Sequence, residues 1–211
     1  MMKMTNKIYL LVLMCLFAEW AIASQRWYQI ELIVFEQNVP GSERSDQTGT
    51  EIKWPGKLAE LSGDSQSLDA LTKQPKPFAR VAGKDMLLHY PKKKLARNRN
   101  YHPIKHVSWV QPVAQNSMGK AVHIHSGLGQ DDTFQLDGFV RLQRGHYLHL
   151  IVDLELTEFK KLATTEFIDT SPVVFRLNEK RRIKFDEVHY LDHPEYGVIV
   201  VVKPFRISRN P

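Results

Sequence analysis

The chain is nearly devoid of cysteine: Cys15 is the only one among 211 residues, and it lies in an apolar stretch close to the N-terminus. Once that stretch is removed, a thiol nucleophile, a thiolate zinc site and a redox pair are all excluded. Long hydrophobic runs are missing as well. The run from Ile8 to Ala18 is about a dozen residues, well short of the roughly 20 that a helix needs to cross a bilayer. Catalytic signatures are lacking too: there is no G-x-S-x-G elbow, no H-E-x-x-H and no P-loop. Charge of one sign does not dominate, since 29 Lys and Arg stand against 23 Asp and Glu, for a formal net charge of +6.

What is present at the N-terminus is a secretory signal. Lys3 and Lys7 form a positive start, Ile8 to Ala18 the apolar centre, and Ala21-Ile22-Ala23 an A-x-A site that places cleavage after Ala23. Val12-Leu13-Met14 before Cys15 lacks the small residues of a lipoprotein signal. The expectation is a periplasmic protein with a signal peptide at 1–23 and one domain at 24–211, with no integral membrane segment after cleavage. In such a compartment basicity does not point to nucleic acid. It points to anionic head groups, lipopolysaccharide or the carboxylates of peptidoglycan stems.

The mature chain opens on Trp27 to Phe35, a strand in which Tyr28, Ile30, Leu32 and Val34 make an unbroken apolar face while Gln29 and Glu31 interrupt the other. From about Gln37 to Lys76 the pattern fades into turn residues, with a short capped helix over Asp64 to Leu71. Lys92 to Arg99 reads as a basic helix beginning just after Pro91. Strands follow: Ile104 to Val110, stopped by Pro112; Ala121 to His125; a hairpin of Phe139–Leu142 and Tyr147–Leu156 turning at Gly145; Val173 to Ile183; and Glu187 to Tyr190. Gly197 to Val202 is apolar on both faces and belongs in the centre of a sheet. The sum is an α+β domain, mainly an antiparallel sheet with a few short helices.

Four groups of residues bear on chemistry. His189, Asp192 and His193 carry zinc-binding types, but a strand followed by an Asp-x-Pro turn does not give them helical spacing, so turn structure is the better reading. His123 and His125, two apart on a strand, share a face without an identifiable third ligand. Arg141, Arg176, Arg181 and Arg182 cluster on strands around Asp153, Glu155 and Glu179, where cross-strand charge pairs would explain most of them. The functional alternative is that Arg141, Arg181 and Arg182, with His149, form an exposed sheet face able to meet carboxylates. Trp109 and Tyr147 are read as rings for stacking on sugars.

Several segments in order resemble the CsiV family of Gram-negative periplasmic proteins. They are Arg26 to Glu36, His106-Val107-Ser108-Trp109-Val110-Gln111-Pro112, Gly138 to Leu142 with Tyr147 to Leu150, Arg181-Arg182-Ile183, and His189 to Val198. The region from about 37 to 100 matches only loosely. The resemblance implies a non-enzymatic peptidoglycan-binding protein that needs no cofactor and supports septal or side-wall synthesis, with roles in cell shape and division. Its implied partner is the outer-membrane lipoprotein activator of a class A penicillin-binding protein. Two other readings remain: a metal-dependent envelope hydrolase using His189, Asp192 and His193, and a purely protein-binding adaptor.

Overall fold

The computed structural model describes residues 25–38, 51–127, 135–159, 162–163, 168–169 and 172–208. The expected signal peptide and the stretch Gly41 to Thr50 lie outside them. Among the described residues strands dominate, with two short α-helices. They form two stacked sheets rather than the one sheet expected.

Sheet A runs in the order β12 (Val188–Asp192), β13 (Tyr196–Phe205), β1 (Arg26–Gln37), β4 (Tyr101–Val113), β3 (Ala79–Val81) and β2 (Ser65–Gln66). Sheet B runs β11 (Pro172–Ile183), β8 (Leu148–Phe159), β7 (Leu136–Arg144) and β5 (Ser117–Met118), with β6 (Val122–His123) also on β7. A two-stranded ladder joins β9 (Leu162–Ala163) to β10 (Ile168–Asp169). Among the named strands of the described residues, β2 and β3 pair in parallel and all others antiparallel, so sheet A is mixed.

The core follows from period-two alternation. Tyr28, Ile30, Leu32 and Val34 of β1 and Val198, Val200 and Val202 of β13 face Val140, Leu142, Leu150, Val152, Leu154 and Leu156 of sheet B. Tyr196 ties the layers together: its buried hydroxyl donates to the Leu154 carbonyl at 2.6 Å and accepts from the Leu177 amide at 2.9 Å. Burial holds that hydroxyl far above the usual phenol range.

The other face of β1 is buried too, and this explains Gln29 and Glu31. Helix α1 (Leu68–Lys73), capped by Ser67, and helix α2 (His89–Arg97) cover sheet A from outside. Glu31, fully buried, accepts from the amides of Leu87 at 2.5 Å and Leu88 at 2.9 Å, and meets His106 Nε2 at 2.7 Å. A carboxylate there satisfies donors at the start of α2 that no carbonyl of the helix can reach. Gln29 bridges the Asp85 carbonyl and the Ser108 hydroxyl.

Some boundaries differ from expectation. Helix α2 starts at His89, so Pro91 is its third residue, still in the first turn where a missing N–H costs nothing. Strand β4 runs through Pro112, which pairs with Trp27. The Val110 carbonyl accepts from Phe78, so the nitrogen of Pro112, two residues on, points past the end of β3 where no partner strand is waiting. The Ala121 to His125 run is reduced to the two residues of β6. Strand β13 lies between β12 and β1, as its two apolar faces require.

Candidate ligand-binding cleft

The β7–β8 hairpin turns at one end of the sandwich, where the Gly145 amide donates to the Tyr147 carbonyl at 3.0 Å. Beside it the start of β1 and the end of β11 arrive from the two sheets, and together they enclose an open cleft of about 390 Å³. Arg26, Arg144, Arg182 and Lys184 contribute its cationic groups beside the His146 ring, and among the described residues no Asp or Glu lines it. Lys184 has its own counter-charge outside the cleft, Glu187 at 3.3 Å.

Rings make the walls. Tyr28 and Phe185 stack with centroids 5.7 Å apart, and His146 meets Tyr147 edge-on at 4.5 Å. The Arg182 guanidinium carbon lies 3.3 Å above the Tyr147 ring, which fixes a planar cation against an aromatic face. Tyr147 and Phe185 are 43% and 40% exposed, so each keeps ring surface open to a ligand. Arg144 is almost fully buried and spends one nitrogen on the Val113 carbonyl at 3.2 Å. Burial pushes the Tyr28 hydroxyl up against the pull of Arg144 and Arg26, so it stays a neutral hydroxyl at neutral pH. Such a cleft is suited to an anionic, partly apolar ligand: guanidiniums grip a carboxylate through paired N–H donors, and the rings pack its carbon skeleton.

Of the residues singled out from sequence, the cleft brings together Tyr147 and Arg182. His149 is register partner of Arg182 on the outer face of sheet B but does not line the cleft. Arg141 lies farther along that face, with one guanidinium nitrogen 3.4 Å from the Pro55 carbonyl. Arg181 points the other way: it donates to Glu179 at 2.6 Å and to the Tyr190 carbonyl, pinning β11 to β12. Trp109 is fully buried in the core, its Nε1 donating to Gln111 at 2.7 Å, so it has no ring face for a sugar.

His189, Asp192 and His193 do not converge. His189 sits against the Lys184 backbone, Asp192 accepts from Tyr190 and Gln37, and His193 is buried between the rings of Phe175 and Tyr196. Burial lowers the His193 imidazole's affinity for protons.

Sequence reasoning missed Arg26, Arg144 and Phe185, and read Tyr28 as a core residue, which it is. Arg26 and Arg144 are strand-terminal residues, where alternation is silent. Arg144 shares sheet B with Arg182, while only the closing of one sheet on the other brings Arg26 to them.

One protein-family model, CsiV, described as a peptidoglycan-binding protein, matches residues 6–205, nearly the whole chain. No curated protein and no solved structure shows a match.

Proposed function

Since the chain belongs to the CsiV family of peptidoglycan-binding proteins, we propose that it binds peptidoglycan in the cleft between the β7–β8 turn and the ends of β1 and β11. The reading is of a periplasmic protein, exported by a signal peptide cut after Ala23, that carries out no catalysis. It would support cell-wall synthesis by docking on the outer-membrane lipoprotein activator of a class A penicillin-binding protein, with effects on cell shape and division. The observation that carries the binding part is the cleft itself, in which Arg182 over Tyr147 stands with Arg26 and Arg144 and, among the described lining residues, no acid. Stem-peptide carboxylates suit the cations, and the glycan or the stem's methyl groups suit the rings.

Sedimentation with purified sacculi tests it. The protein should pellet with sacculi at low salt, and Arg182→Ala with Tyr147→Ala should release it while circular dichroism stays unchanged. A wild-type protein left in the supernatant, or a double variant that pellets as before, overturns the assignment. Arg181→Ala should pellet like wild type, because its side chain serves β12. Amino-terminal sequencing of the envelope form checks the export step, with Ser24 as the expected first residue.

A further inference from the structure

At the opposite end of sheet B, three potential ligands of one metal ion meet. Residues 121, 123 and 125 alternate to the outer face while Val122 and Ile124 enter the core. His123 and His125 therefore lie side by side, ring centroids 4.6 Å apart. The third comes from the segment before β2: Ala59 pairs with Val122, its amide bonding Ala121 and its carbonyl taking the His123 amide. That pairing sets Glu60 against the histidines. Ligand atoms of Glu60, His123 and His125 all fall within 4.8 Å of one another, the one such group among the described residues.

The hydrogen bonding of His123 gives an independent reason for a cation. Its Nδ1 is 2.8 Å from Glu60 Oε1 and its Nε2 is 2.7 Å from Asp137 Oδ1. A neutral imidazole has one N–H, so one of these two contacts sets a nitrogen lone pair against carboxylate oxygen unless a second proton or a metal ion lies on that side. The Asp137 contact has the form of the carboxylate–histidine–metal relay, in which an acid behind the ring fixes its tautomer.

We propose that Glu60, His123 and His125 bind one zinc-class divalent cation, with Asp137 orienting His123 from behind. Two imidazoles and one carboxylate suit zinc and leave a fourth position for water. Tetrahedral ligation places ligand atoms roughly 3.3 Å apart, a distance that small side-chain rotations reach from the spacing seen. The ion would clamp the segment carrying Glu60 onto sheet B. Trp54 of the same segment meets His123 edge-on at 5.8 Å and shields it on one side.

Zinc chloride titrated into the purified protein against a chromophoric chelator tests the site. One ion per chain is expected, with affinity at least tenfold weaker in His125→Gln and in Glu60→Gln, and a smaller loss in Asp137→Asn. Absence of uptake by the wild type, which would leave a second proton on His123 as the cation, overturns the proposal; so does uptake unchanged in both of the first two variants. If those variants fail to fold, nitrogen-15 spectra of the wild-type histidines decide. Zinc should move the His123 and His125 imidazole resonances, and movement confined to other histidines refutes the site.

Discussion

Strand β7 has Asp137 near one end and Arg144 at the other, and the surroundings of the two are opposite in charge and design. Around Arg144 the cations Arg26, Arg182 and Lys184 surround open space, with exposed rings beside them. Around Asp137 the charges are used up in contacts. Arg176 grips Asp153 with two bonds of 2.7 and 2.8 Å, Asn178 adds a third at 2.9 Å, and Asp137 is bound to His123. Glu155, the register partner of Asp137, has its carboxyl pushed up by burial, then by Asp153, Asp137 and Glu51 against the pull of Arg176. Seven residues of strand separate the two ends, about 23 Å at roughly 3.3 Å per residue. That exceeds the Debye length of about 8 Å at physiological salt, so neither cluster neutralises the other. The two ends of β7 are thus poles of opposite charge. One is built to hold itself together, the other to receive something.

Perturbing each pole in turn should separate stability from binding. The largest effect is expected from Asp153→Ala, which strands the nearly buried Arg176. Thermal or urea unfolding should show a loss of about 3–5 kcal/mol, with sacculus binding by the folded fraction unchanged. Arg182→Glu should do the reverse, cutting sacculus retention about tenfold, roughly 1.4 kcal/mol, with little change in unfolding. Retention should also weaken steeply between low and physiological salt, whereas the buried Arg176–Asp153 pair should be little screened.

Next in size is the effect of acid. His125 and His193 bind protons less readily in the folded state, chiefly because they are buried. Below the ordinary histidine value of about 6.5 the unfolded chain therefore holds more protons, and stability should fall as pH drops, levelling off below the native values. Melting temperatures at pH 7.5 and 5.5 check the sign. The smallest effect is expected from His149→Ala, which lies beside Arg182 but outside the cleft: less than a twofold change in retention.

Much of the fold could be read from alternation. It gave the core face of β1, the central place of β13 and the β7–β8 hairpin, because these strands are long and their side chains repeat strictly. Pro112 and the shortness of β6 escaped, since both depend on where a neighbouring strand ends. Trp109 was misread for a related reason: its position fixes its face, but not that a second sheet would cover that face. The separation of Arg181 from Arg182 is legible in hindsight, because adjacent residues on a strand point oppositely and only one can share the face of His149. The cleft itself was only half legible. Tyr147 and Arg182 belong to the hairpin and its neighbour, while Arg26 joins them from the other sheet.

The position of β1 also bears on how the chain reaches its native state. The first strand lies between β4 and the last, β13, with Trp27 registered on Phe205. A chain folding as it emerges can pair β1 with β4 early, but the other edge of β1 stays bare until almost the whole sequence is available. Pairings of such long range make folding slow, on the order of milliseconds to seconds. Throughout that interval a long, strongly apolar edge is open to pairing with another molecule. Shortening the chain before β13 should therefore produce aggregates rather than a smaller soluble protein, and a holdase that covers strand edges should raise the yield of the intact one.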